Sequence, residues 1–360
     1  MLAVYIFFPM HTISEAETSA HTRPTTDRCR VAVAGATGYT GQELLRLLSR
    51  HPHVSIVAAT SSGAAAARTL PALARIWTGT VTPLDPERLA AEADLVFLAL
   101  PDTAAAVLAP KLASAGVKVI DLSGAFRLKD AALRAKWYPE THSLPEKLAY
   151  GLTEHARAEV RDAQVVANPG CYPTAANLAI KPLIDAGAID RSAGIVCDAK
   201  SGVSGAGRKA TLKNSFCEVT ENFSAYSILD HRHVPEVLRT SGLKESEFSF
   251  SAQLLPIERG ILETIYFRAS EKIASADDLL DIYLEQYKDE PFLRLFAPGV
   301  VPDLRDVNHT NLCGIGFKFD KATRRTVVVS VIDNLGKGAA GQAIQNMNLA
   351  LGFPETAGLL

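Results

Sequence analysis

The stretch RVAVAGATGYTGQELLRLLSRH, residues 30–51, decides the fold. It begins with a short β-rich run, continues through a turn with three glycines, and ends with leucines at helical spacing. His51 and Pro52 then stop the helical pattern. The next run, VSIVAAT at 54–60, is typical of a second strand. Together these segments predict one βαβ unit, with the glycine turn where a dinucleotide-binding fold needs it.

The three glycines of this turn have separate roles in such a fold. Gly35 permits the sharp exit from the strand, Gly38 lets the backbone approach a pyrophosphate, and Gly41 lets the helix pack closely on the sheet. The free N–H groups at the start of the helix would then hold the phosphates. The spacing differs from the usual GxGxxG by one residue, and a glycine-rich turn that binds nothing is the alternative. The flanking strand and helix favour binding.

The end of the second predicted strand bears on the choice of cofactor. It reads ATSSG, residues 59–63, and lacks the acidic residue that NAD-preferring folds often place there for the ribose hydroxyls. Thr60, Ser61 and Ser62, together with Arg68, could instead accept a 2′-phosphate, which favours NADP(H). A capped turn with solvated hydroxyls is the alternative. We expect the cofactor-binding residues to be Gly35, Thr37, Gly38, Tyr39, Thr40, Gly41, Ser61, Ser62, Pro101, Ser201, Gly202 and Asn334.

Further apolar runs alternate with helical patterns and predict more strands of the same sheet. These runs lie at 93–101, 117–124 and 163–170. Strands that alternate with helices indicate a Rossmann-type, doubly wound parallel sheet. Ligands bind beyond the carboxyl ends of such strands, so Pro101, Ser123 and Cys171 should lie near one rim.

Cys171, in NPGCYPTA, follows one of these strands and precedes a helix that we expect to start at Pro173. A thiol at a helix N-terminus experiences partial positive charge, which should lower its pKa and favour the nucleophilic thiolate. The alternative is a small buried residue that fills the turn. We assign that packing role to the remaining cysteines, which are Cys29, Cys197, Cys217 and Cys313.

A thiolate nucleophile needs a proton partner, and the segment DHRHVPE offers His231 and His233. In an extended chain these two histidines share a face. One could hold the proton, while the other, with Arg232, could meet an anionic substrate. A metal site is the alternative, but a third ligand is not evident, and we predict no metal.

Two glycine- and cation-bearing segments are candidates for anion binding. KSGVSGAGRK at 200–209 combines close backbone approach with positive charge, although a flexible surface loop with solvated cations is the alternative. SGAFR at 123–127 could contribute to the same site. We expect the substrate-binding residues to be Ser123, Arg127, Asn168, Ser204, Gly205, Arg208 and Arg232.

The C-terminal region predicts a strand at 326–332, a glycine-rich turn and a helix at 339–351 that packs back on the first domain. The length of 360 residues exceeds what one core usually serves. We therefore expect an α+β catalytic domain with a mixed or antiparallel sheet, inserted into the dinucleotide-binding domain. The predicted divisions are a disordered tail at 1–28, an NADP-binding domain at 29–170 and 334–360, and a catalytic and oligomerisation domain at 171–333.

Composition narrows the class of protein. Hydrophobic residues make up 48% and charged residues 21%, and the net charge is −2 without a basic block, so we expect no nucleic-acid partner. The five cysteines are an odd number without CxxC spacing, which favours reduced thiols in a cytoplasm. The apolar run MLAVYIFFPM is too short to span a bilayer and lacks a basic flank, so we expect no membrane association. An unstructured extension or a misassigned start is favoured over a targeting signal.

Six motifs together resemble the N-acetyl-γ-glutamyl-phosphate reductases of arginine biosynthesis, within the aspartate-semialdehyde dehydrogenase superfamily. The motifs are GATGYTGQELLRLL, DLSGAFRLKD, NPGCYPTA, SGVSGAGR, HRHVPE and GKGAAGQAIQNMN, and the resemblance covers about residues 30–352. The resemblance implies NADPH, a homodimer or homotetramer, and Cys171 as the nucleophile that forms an acyl thioester with release of phosphate. The acid/base histidine does not transfer directly, and we favour His233, with His231 contacting the small-molecule substrate.

The chain departs from the family pattern at three places, and other functions remain open. LPDTAAA stands where a histidine-glycine is expected, SGAF replaces serine-alanine-aspartate-phenylalanine, and TSSGAAA lacks an arginine that would support NADP. A reductase for carrier-bound aminoadipyl phosphate would need a basic surface. An aspartate-semialdehyde dehydrogenase is opposed by the Pro-Gly before Cys171. A non-catalytic dinucleotide sensor would have no need for Cys171 with the two histidines.

Overall fold

The chain forms two seven-stranded sheets, and the helix Cys171–Asp185 follows the last strand of the first sheet and precedes the first strand of the second. The structure is a computed structural model and describes residues 28–61 and 66–360. The predicted tail, except Arg28, and the predicted cofactor residue Ser62 lie outside the described residues. The strands are β1 (Cys29–Ala34), β2 (Val54–Ser61), β3 (Val81–Pro83), β4 (Leu95–Leu98), β5 (Lys118–Asp121), β6 (Leu148–Tyr150), β7 (Val165–Ala167), β8 (Ile195–Ser201), β9 (Ser224–Tyr226), β10 (Phe248–Leu254), β11 (Ile261–Arg268), β12 (Leu293–Leu295), β13 (Cys313–Asp320) and β14 (Arg325–Ile332). The helices are α1 (Tyr39–Leu48), α2 (Pro86–Glu92), α3 (Asp102–Ser114), α4 (Ala131–Trp137), α5 (Thr153–Asp162), α6 (Cys171–Asp185), α7 (Phe216–Val219), α8 (Val234–Ser241), α9 (Ala276–Tyr287) and α10 (Gly341–Leu351).

The first sheet has the strand order β3-β2-β1-β4-β5-β7-β6, and every pair in it is parallel. Separate apolar clusters cover its two faces, and all four residues of β4 are buried. Strands buried on both faces need such continuous apolar sequence. The predicted doubly wound parallel sheet is confirmed. The carboxyl ends of β1, β4, β5 and β7 place the glycine turn, Pro101, Ser123 and Cys171 at one edge.

The second sheet has the order β12-β13-β14-β11-β8-β10-β9. The β8–β10 and β12–β13 pairs are parallel and the others are antiparallel, which confirms the predicted α+β domain with a mixed sheet. Along β11, buried residues such as Ile265 alternate with more exposed ones such as Tyr266. The buried face packs against α6 and α9. This one-sided cover explains the alternating sequence.

Helix α6 begins at Cys171, two residues earlier than predicted from Pro173. Proline is tolerated in the first turn of a helix, so Pro173 does not set the start. Although α6 follows the first sheet, it packs on β11 and β14 of the second sheet. Cys171 therefore lies where the two sheets meet.

The C-terminal region returns to the first sheet, as predicted. A π-helical turn at Gly336–Ala340 leads into α10, so the helical segment begins three residues before the predicted start at 339. Helix α10 packs on α5 and α1. Within residues 28–61 and 66–360, no helix combines the length and apolar character needed to cross a bilayer.

Candidate active site

The glycine turn has the geometry that a pyrophosphate requires. Gly35 has a φ of +93°, and a Cβ there would lie 2.1 Å from the carbonyl oxygen of Ala99. A Cβ at Gly41 would lie 2.2 Å from the carbonyl oxygen of Gly35, so the helix packs closely on the turn. Helix α1 starts after Gly38 without a side-chain cap and without an acidic residue in its first turn. The N–H groups of its first turn are therefore free of a side-chain cap and can bind a phosphate, as the turn of a dinucleotide-binding fold requires.

Two cavities meet at Cys171. The cofactor cleft, of about 400 Å³, runs from the glycine turn past Pro101 and Ser123 to Cys171, Asn334 and His233. The catalytic pocket, of about 430 Å³, is lined by Tyr172, Ser201, Tyr226, His231 and Arg232, and again by Cys171 and His233. The expected meeting of Pro101, Ser123 and Cys171 at one rim is thus present. Cys171 therefore lines both cavities at their junction.

Cys171 is half-buried at the first position of α6. A Cβ at Gly338 would lie 2.9 Å from the Cβ of Cys171, so the π-helical turn leaves little room beside the thiol. Burial raises the pKa of the Cys171 thiol to about 11, and the positive charge of Arg127 only partly opposes this effect. The expectation of a lowered pKa was wrong, because desolvation of the thiolate outweighs the favourable helix N-terminus.

The two histidines occupy a turn before α8 instead of an extended segment. The backbone N–H of His233 donates to Nδ1 of His231 at 3.1 Å, and the ring centroids are 4.8 Å apart. Burial lowers the pKa of His231 to about 4 and that of His233 well below its usual value, so both rings are neutral at pH 7. The rings are in contact, although they do not share the face of a strand.

Position distinguishes the two rings. His231 lines the catalytic pocket, whereas His233 lines both the pocket and the cofactor cleft. A Cβ on Gly170 would lie 2.6 Å from Nε2 of His233, so this nitrogen sits directly beside the residue that precedes Cys171. His233 is therefore the better placed of the two to exchange a proton at Cys171.

Three of the predicted substrate-binding residues, Arg127, Asn168 and Ser123, donate hydrogen bonds to other groups of the protein. The guanidinium of Arg127 donates from Nε to the carbonyl oxygen of Asn168 at 2.8 Å and from Nη2 to that of Leu122 at 2.9 Å. The Asn168 amide donates to the carbonyl oxygen of Ala339 at 3.2 Å, and Asn168 lines neither cavity. The polar groups of both residues are thus engaged by backbone carbonyls, and of the two only Arg127 lines the cofactor cleft. Ser123 donates to Asp121, whose pKa burial raises to about 6.

Predicted residues that lie within the cavities include Ser204, Gly205, Arg208 and Arg232. Gly205 and Arg232 line both cavities, and Ser204 and Arg208 line the cofactor cleft. Arg232 is half exposed, and its Nη1 donates to Oδ2 of Asp102 at 3.3 Å. Asp102 stands where the family pattern has a histidine. The substitution therefore forms an ion pair between the first residue of α3 and Arg232, which precedes α8.

The predicted cofactor residues divide into three groups. Tyr39, Thr40 and Asn334 line the cofactor cleft with Gly38, Gly41 and Pro101. Ser201 lines the catalytic pocket instead. Gly202 lines neither cavity, and a Cβ there would lie 2.6 Å from the carbonyl oxygen of Glu258. Thr37 and Ser61 line neither of these two cavities, and their hydroxyl oxygens are 3.1 Å apart.

Comparison with known proteins identifies the family. A family model for the semialdehyde dehydrogenase NAD binding domain matches residues 30–163, and one for the semialdehyde dehydrogenase dimerisation domain matches residues 171–334. The N-acetyl-gamma-glutamyl-phosphate reductase of Geobacillus sp. (strain WCH70) is 44% identical over 92% of this chain and 98% of the relative. That of Symbiobacterium thermophilum is 47% identical over 92% and 97%, respectively. The chain belongs to the N-acetyl-γ-glutamyl-phosphate reductase family.

Solved structures agree at the level of the fold. Aspartate semialdehyde dehydrogenase II of Vibrio cholerae, complexed with ASA, superposes with a TM-score of 0.70 at 21% identity, covering 91% of this chain and 99% of that one. Aspartate semialdehyde dehydrogenase with NADP from Candida albicans has a TM-score of 0.64 at 18% identity, covering 90% and 98%. The matched NAD binding domain and the glycine turn assign a nicotinamide dinucleotide cofactor to this reductase-family chain.

A buried glutamate that the sequence analysis overlooked connects Gly170, the residue before Cys171, to His233. Glu236 is fully buried in α8, and its Oε2 accepts the backbone N–H of Gly170 at 3.0 Å and the hydroxyl of Tyr150 at 3.0 Å. Its Oε1 accepts from Nη1 of Arg127 at 3.3 Å and lies 4.0 Å from Nε2 of His233. The signal was present in HRHVPE, because residues three apart on a helical turn lie on one side.

In the described ranges, no group of three or more His, Cys, Asp or Glu side chains is arranged to hold a metal ion.

Proposed function

We propose that this reductase-family chain reduces N-acetyl-γ-glutamyl phosphate with NADPH to N-acetyl-L-glutamate 5-semialdehyde and phosphate, a step of arginine biosynthesis. Family membership supports the reaction. One structural observation supports the assignment of roles: Cys171 and His233 both lie at the junction of the cofactor cleft and the catalytic pocket. A nucleophile at this junction can hold an acyl group within reach of a nicotinamide.

The first step is acyl transfer to Cys171. Because the thiol is protonated at neutral pH, its proton must leave as sulfur attacks the acyl carbon. His233 is neutral and accepts this proton. The new C–S bond forms, the C–O bond to the phosphoryl group breaks, and phosphate leaves with that electron pair. The product is a thioester on Cys171.

The second step reduces the thioester. A nicotinamide cofactor bound in the cofactor cleft would supply the hydride for the acyl carbon. The resulting oxyanion of the hemithioacetal takes the proton that His233 gained in the first step. When the C–S bond breaks, this hydroxyl proton returns through His233 to the Cys171 sulfur, and the semialdehyde leaves. The acyl carbon is thus reduced by the transferred hydride, and Cys171 is restored as a thiol.

The catalytic pocket supplies the groups that would bind the substrate. Arg232 is the cation that lines both cavities, so it can meet the phosphoryl or carboxylate group of an anionic substrate. His231 contacts the ring of Tyr172 edge-on and presents its neutral ring to the pocket. Ser204 and Gly205 complete the wall towards the cofactor. Arg127 and Asn168 act as positioning residues, because their hydrogen bonds connect the segment before Cys171 to its neighbours.

We further propose a homodimer or homotetramer in the cytoplasm. The match to the dimerisation domain over 171–334 supports self-association of that region. The five free cysteines support a reducing compartment. The predicted division of domains at 170/171 and 333/334 is part of the same proposal.

The reverse reaction tests the function. Phosphate-dependent reduction of NADP and of NAD is measured with N-acetylglutamate semialdehyde, aspartate semialdehyde and aminoadipate semialdehyde. We expect turnover with the first substrate and NADP. Cys171→Ala should abolish it without loss of NADP binding, whereas Cys217→Ala, which changes an exposed cysteine, should remain active. Faster turnover of another semialdehyde would assign a different substrate, and activity of Cys171→Ala would remove the thioester mechanism.

A further inference from the structure

Asp102 is the only aspartate or glutamate among the described residues that line the cofactor cleft. It is the first residue of α3, the helix that follows β4 of the first sheet. Its Oδ1 accepts the backbone N–H of Gly124 at 2.5 Å, and this bond fixes the carboxylate at the edge of that sheet. Asp102 has no part in the acyl transfer or the hydride transfer proposed for Cys171, so its place in the cleft needs another explanation.

The second oxygen of Asp102 accepts from Nη1 of Arg232 at 3.3 Å. In the part of the chain that the structure describes, the Arg232 side chain makes no other hydrogen bond. The side chains of Arg232 and Asp102 are 53% and 32% exposed, respectively. Ion pairs with this exposure contribute little stability, because water and salt screen the charges. The pair can therefore open at small cost when another anion approaches Arg232.

Arg232 differs in this respect from the other two arginines that line the cofactor cleft. Arg127 is buried and donates to two backbone carbonyls and to Glu236. Arg208 donates to a backbone carbonyl of the glycine turn. Neither of these two arginines lines the catalytic pocket, whereas Arg232 lines both cavities. Of the three, Arg232 is therefore the cation that an anion approaching Cys171 through the catalytic pocket can reach.

We propose that Asp102 competes with phosphate for Arg232 and thereby sets how tightly the enzyme holds the phosphoryl group of its substrate and the inorganic phosphate that leaves. The inference rests on the proposed function, in which phosphate departs when the thioester forms. A guanidinium presents five N–H donors in one plane, so a phosphate can engage it more fully than a carboxylate that reaches it through one long hydrogen bond. Once the C–O bond has broken, Asp102 takes Arg232 again and favours release of phosphate.

The exchange requires rotation of the Arg232 side chain and no movement of the backbone. Arg232 lies between the two histidines, in the turn where the backbone N–H of His233 donates to His231. Asp102 stays in place because Gly124 donates to it. Asp102 lines the cofactor cleft but not the catalytic pocket, so it acts on phosphate in that pocket through Arg232. It is therefore a positioning residue that tunes affinity.

The test measures binding of inorganic phosphate by phosphorus NMR on the full chain saturated with NADP. The unsubstituted chain is compared with Asp102→Asn and with the control Glu92→Gln. The control breaks the Arg88–Glu92 pair, whose side chains are 45% and 40% exposed and lie outside both cavities. We expect Asp102→Asn to bind phosphate about three- to fivefold more tightly, because Arg232 has lost its competing partner. The control should bind phosphate as the unsubstituted chain does.

The same substitution in an Arg232→Met background separates competition from direct charge repulsion. Loss of Arg232 should weaken phosphate binding about tenfold, and Asp102→Asn should then have no further effect. Unchanged or weaker phosphate binding by Asp102→Asn alone would overturn the proposal. A gain of equal size in the Arg232→Met background would also overturn it, since Asp102 would then repel phosphate directly.

Kinetics provide a second readout in the phosphate-dependent oxidation of N-acetylglutamate semialdehyde. The KM for phosphate should fall about three- to fivefold in Asp102→Asn, and the KM for the semialdehyde should stay nearly constant. If the amide variant is unstable, Asp102→Ser gives the same comparison, because its hydroxyl oxygen can still accept from Gly124. Failure of the proposed function would appear differently, as inactivity towards every semialdehyde while the changes in phosphate binding persist.

Discussion

The carboxylate of Glu236 accepts the backbone N–H of Gly170 at 3.0 Å, across the boundary between the two sheets. Gly170 precedes Cys171, the proposed nucleophile, and Glu236 lies one helical turn after His233. This hydrogen bond therefore joins the start of α6, which carries the thiol, to the first turn of α8, which follows His233. Because Glu236 also pairs with buried Arg127, its charge is compensated in place.

Replacing the carboxylate with an amide should affect catalysis more than substrate binding. In Glu236→Gln, one oxygen can still accept from Gly170, but the pairing with Arg127 is lost. We expect kcat to fall about 10- to 100-fold with KM nearly unchanged, since misplacement of a catalytic group is costly. The free energy of unfolding should fall by about 3 kcal/mol, because a buried charge loses its partner. Steady-state kinetics and urea unfolding measure both effects.

The matched control is Glu285→Gln on the exposed side of α9, which should leave kcat and stability unchanged within about 0.5 kcal/mol. Glu236→Asp keeps the charge and should recover part of kcat. A rise in KM with normal kcat would show that Glu236 contacts substrate and is not a positioning residue.

The Cys171 thiol should react slowly at neutral pH in the free protein. Burial raises its pKa to about 11. Below that pH, the thiolate fraction rises about tenfold for each unit by which the pH increases. We expect the rate of alkylation by iodoacetamide to rise continuously from pH 7 to pH 10. Mass spectrometry of a Cys217→Ser background, which removes the exposed cysteine, isolates the reaction. A rate that levels off below pH 8 would indicate a thiolate already stabilised by His233.

Separate substitution of the two histidines should give different kinetic results. His233→Asn removes the ring that lines both cavities, so kcat should fall by about 10²–10⁴-fold, as for loss of a general acid/base. His231→Asn removes a ring of the catalytic pocket and should mainly raise KM, by about tenfold. Initial rates over a range of substrate concentrations distinguish the effects. The reverse pattern would exchange the two roles.

The pattern of the chain was sufficient to predict the first sheet and the location of Cys171. Periodicity identified β1, the glycine turn and α1, because the local sequence alone determines a strand, a turn that needs Gly35 at positive φ, and an amphipathic helix. Parallel strands bring their carboxyl ends to one edge, so residues after β4, β5 and β7 could be placed together without coordinates.

Properties that depend on contacts between distant residues could not be predicted in this way. The pKa of Cys171 is determined by how completely α6, the π-helical turn and the histidine turn exclude water, and none of these is local to the cysteine. The histidines were expected to share a face of an extended chain, but they lie in a turn before α8, where the backbone N–H of His233 donates to His231. Ser201 was expected to bind the cofactor, but at the end of β8 it lines the catalytic pocket.

The buried pair Lys337–Glu154 should dominate the stability of the π-helical turn beside Cys171. Both side chains are fully buried, and Nζ of Lys337 lies 2.5 Å from Oε1 of Glu154. Burial raises the pKa of Glu154, but the charge of Lys337 outweighs this effect and keeps the pKa below its usual value. Lys337→Met should lower the free energy of unfolding by about 3–5 kcal/mol at pH 7, because an unpaired carboxylate remains buried.

The pH dependence of this loss provides the decisive measurement. Since the folded-state pKa of Glu154 is lowered, its pairing with Lys337 stabilises the protein above pH 4.5 and is lost as the pH falls further. The difference in unfolding free energy between the unsubstituted chain and Lys337→Met should therefore shrink in acid. Lys181→Met, which breaks the surface pair with Asp185, is the control and should cost less than about 1 kcal/mol. A loss for Lys337→Met that is independent of pH would point to lost packing against Phe292 instead of lost charge pairing.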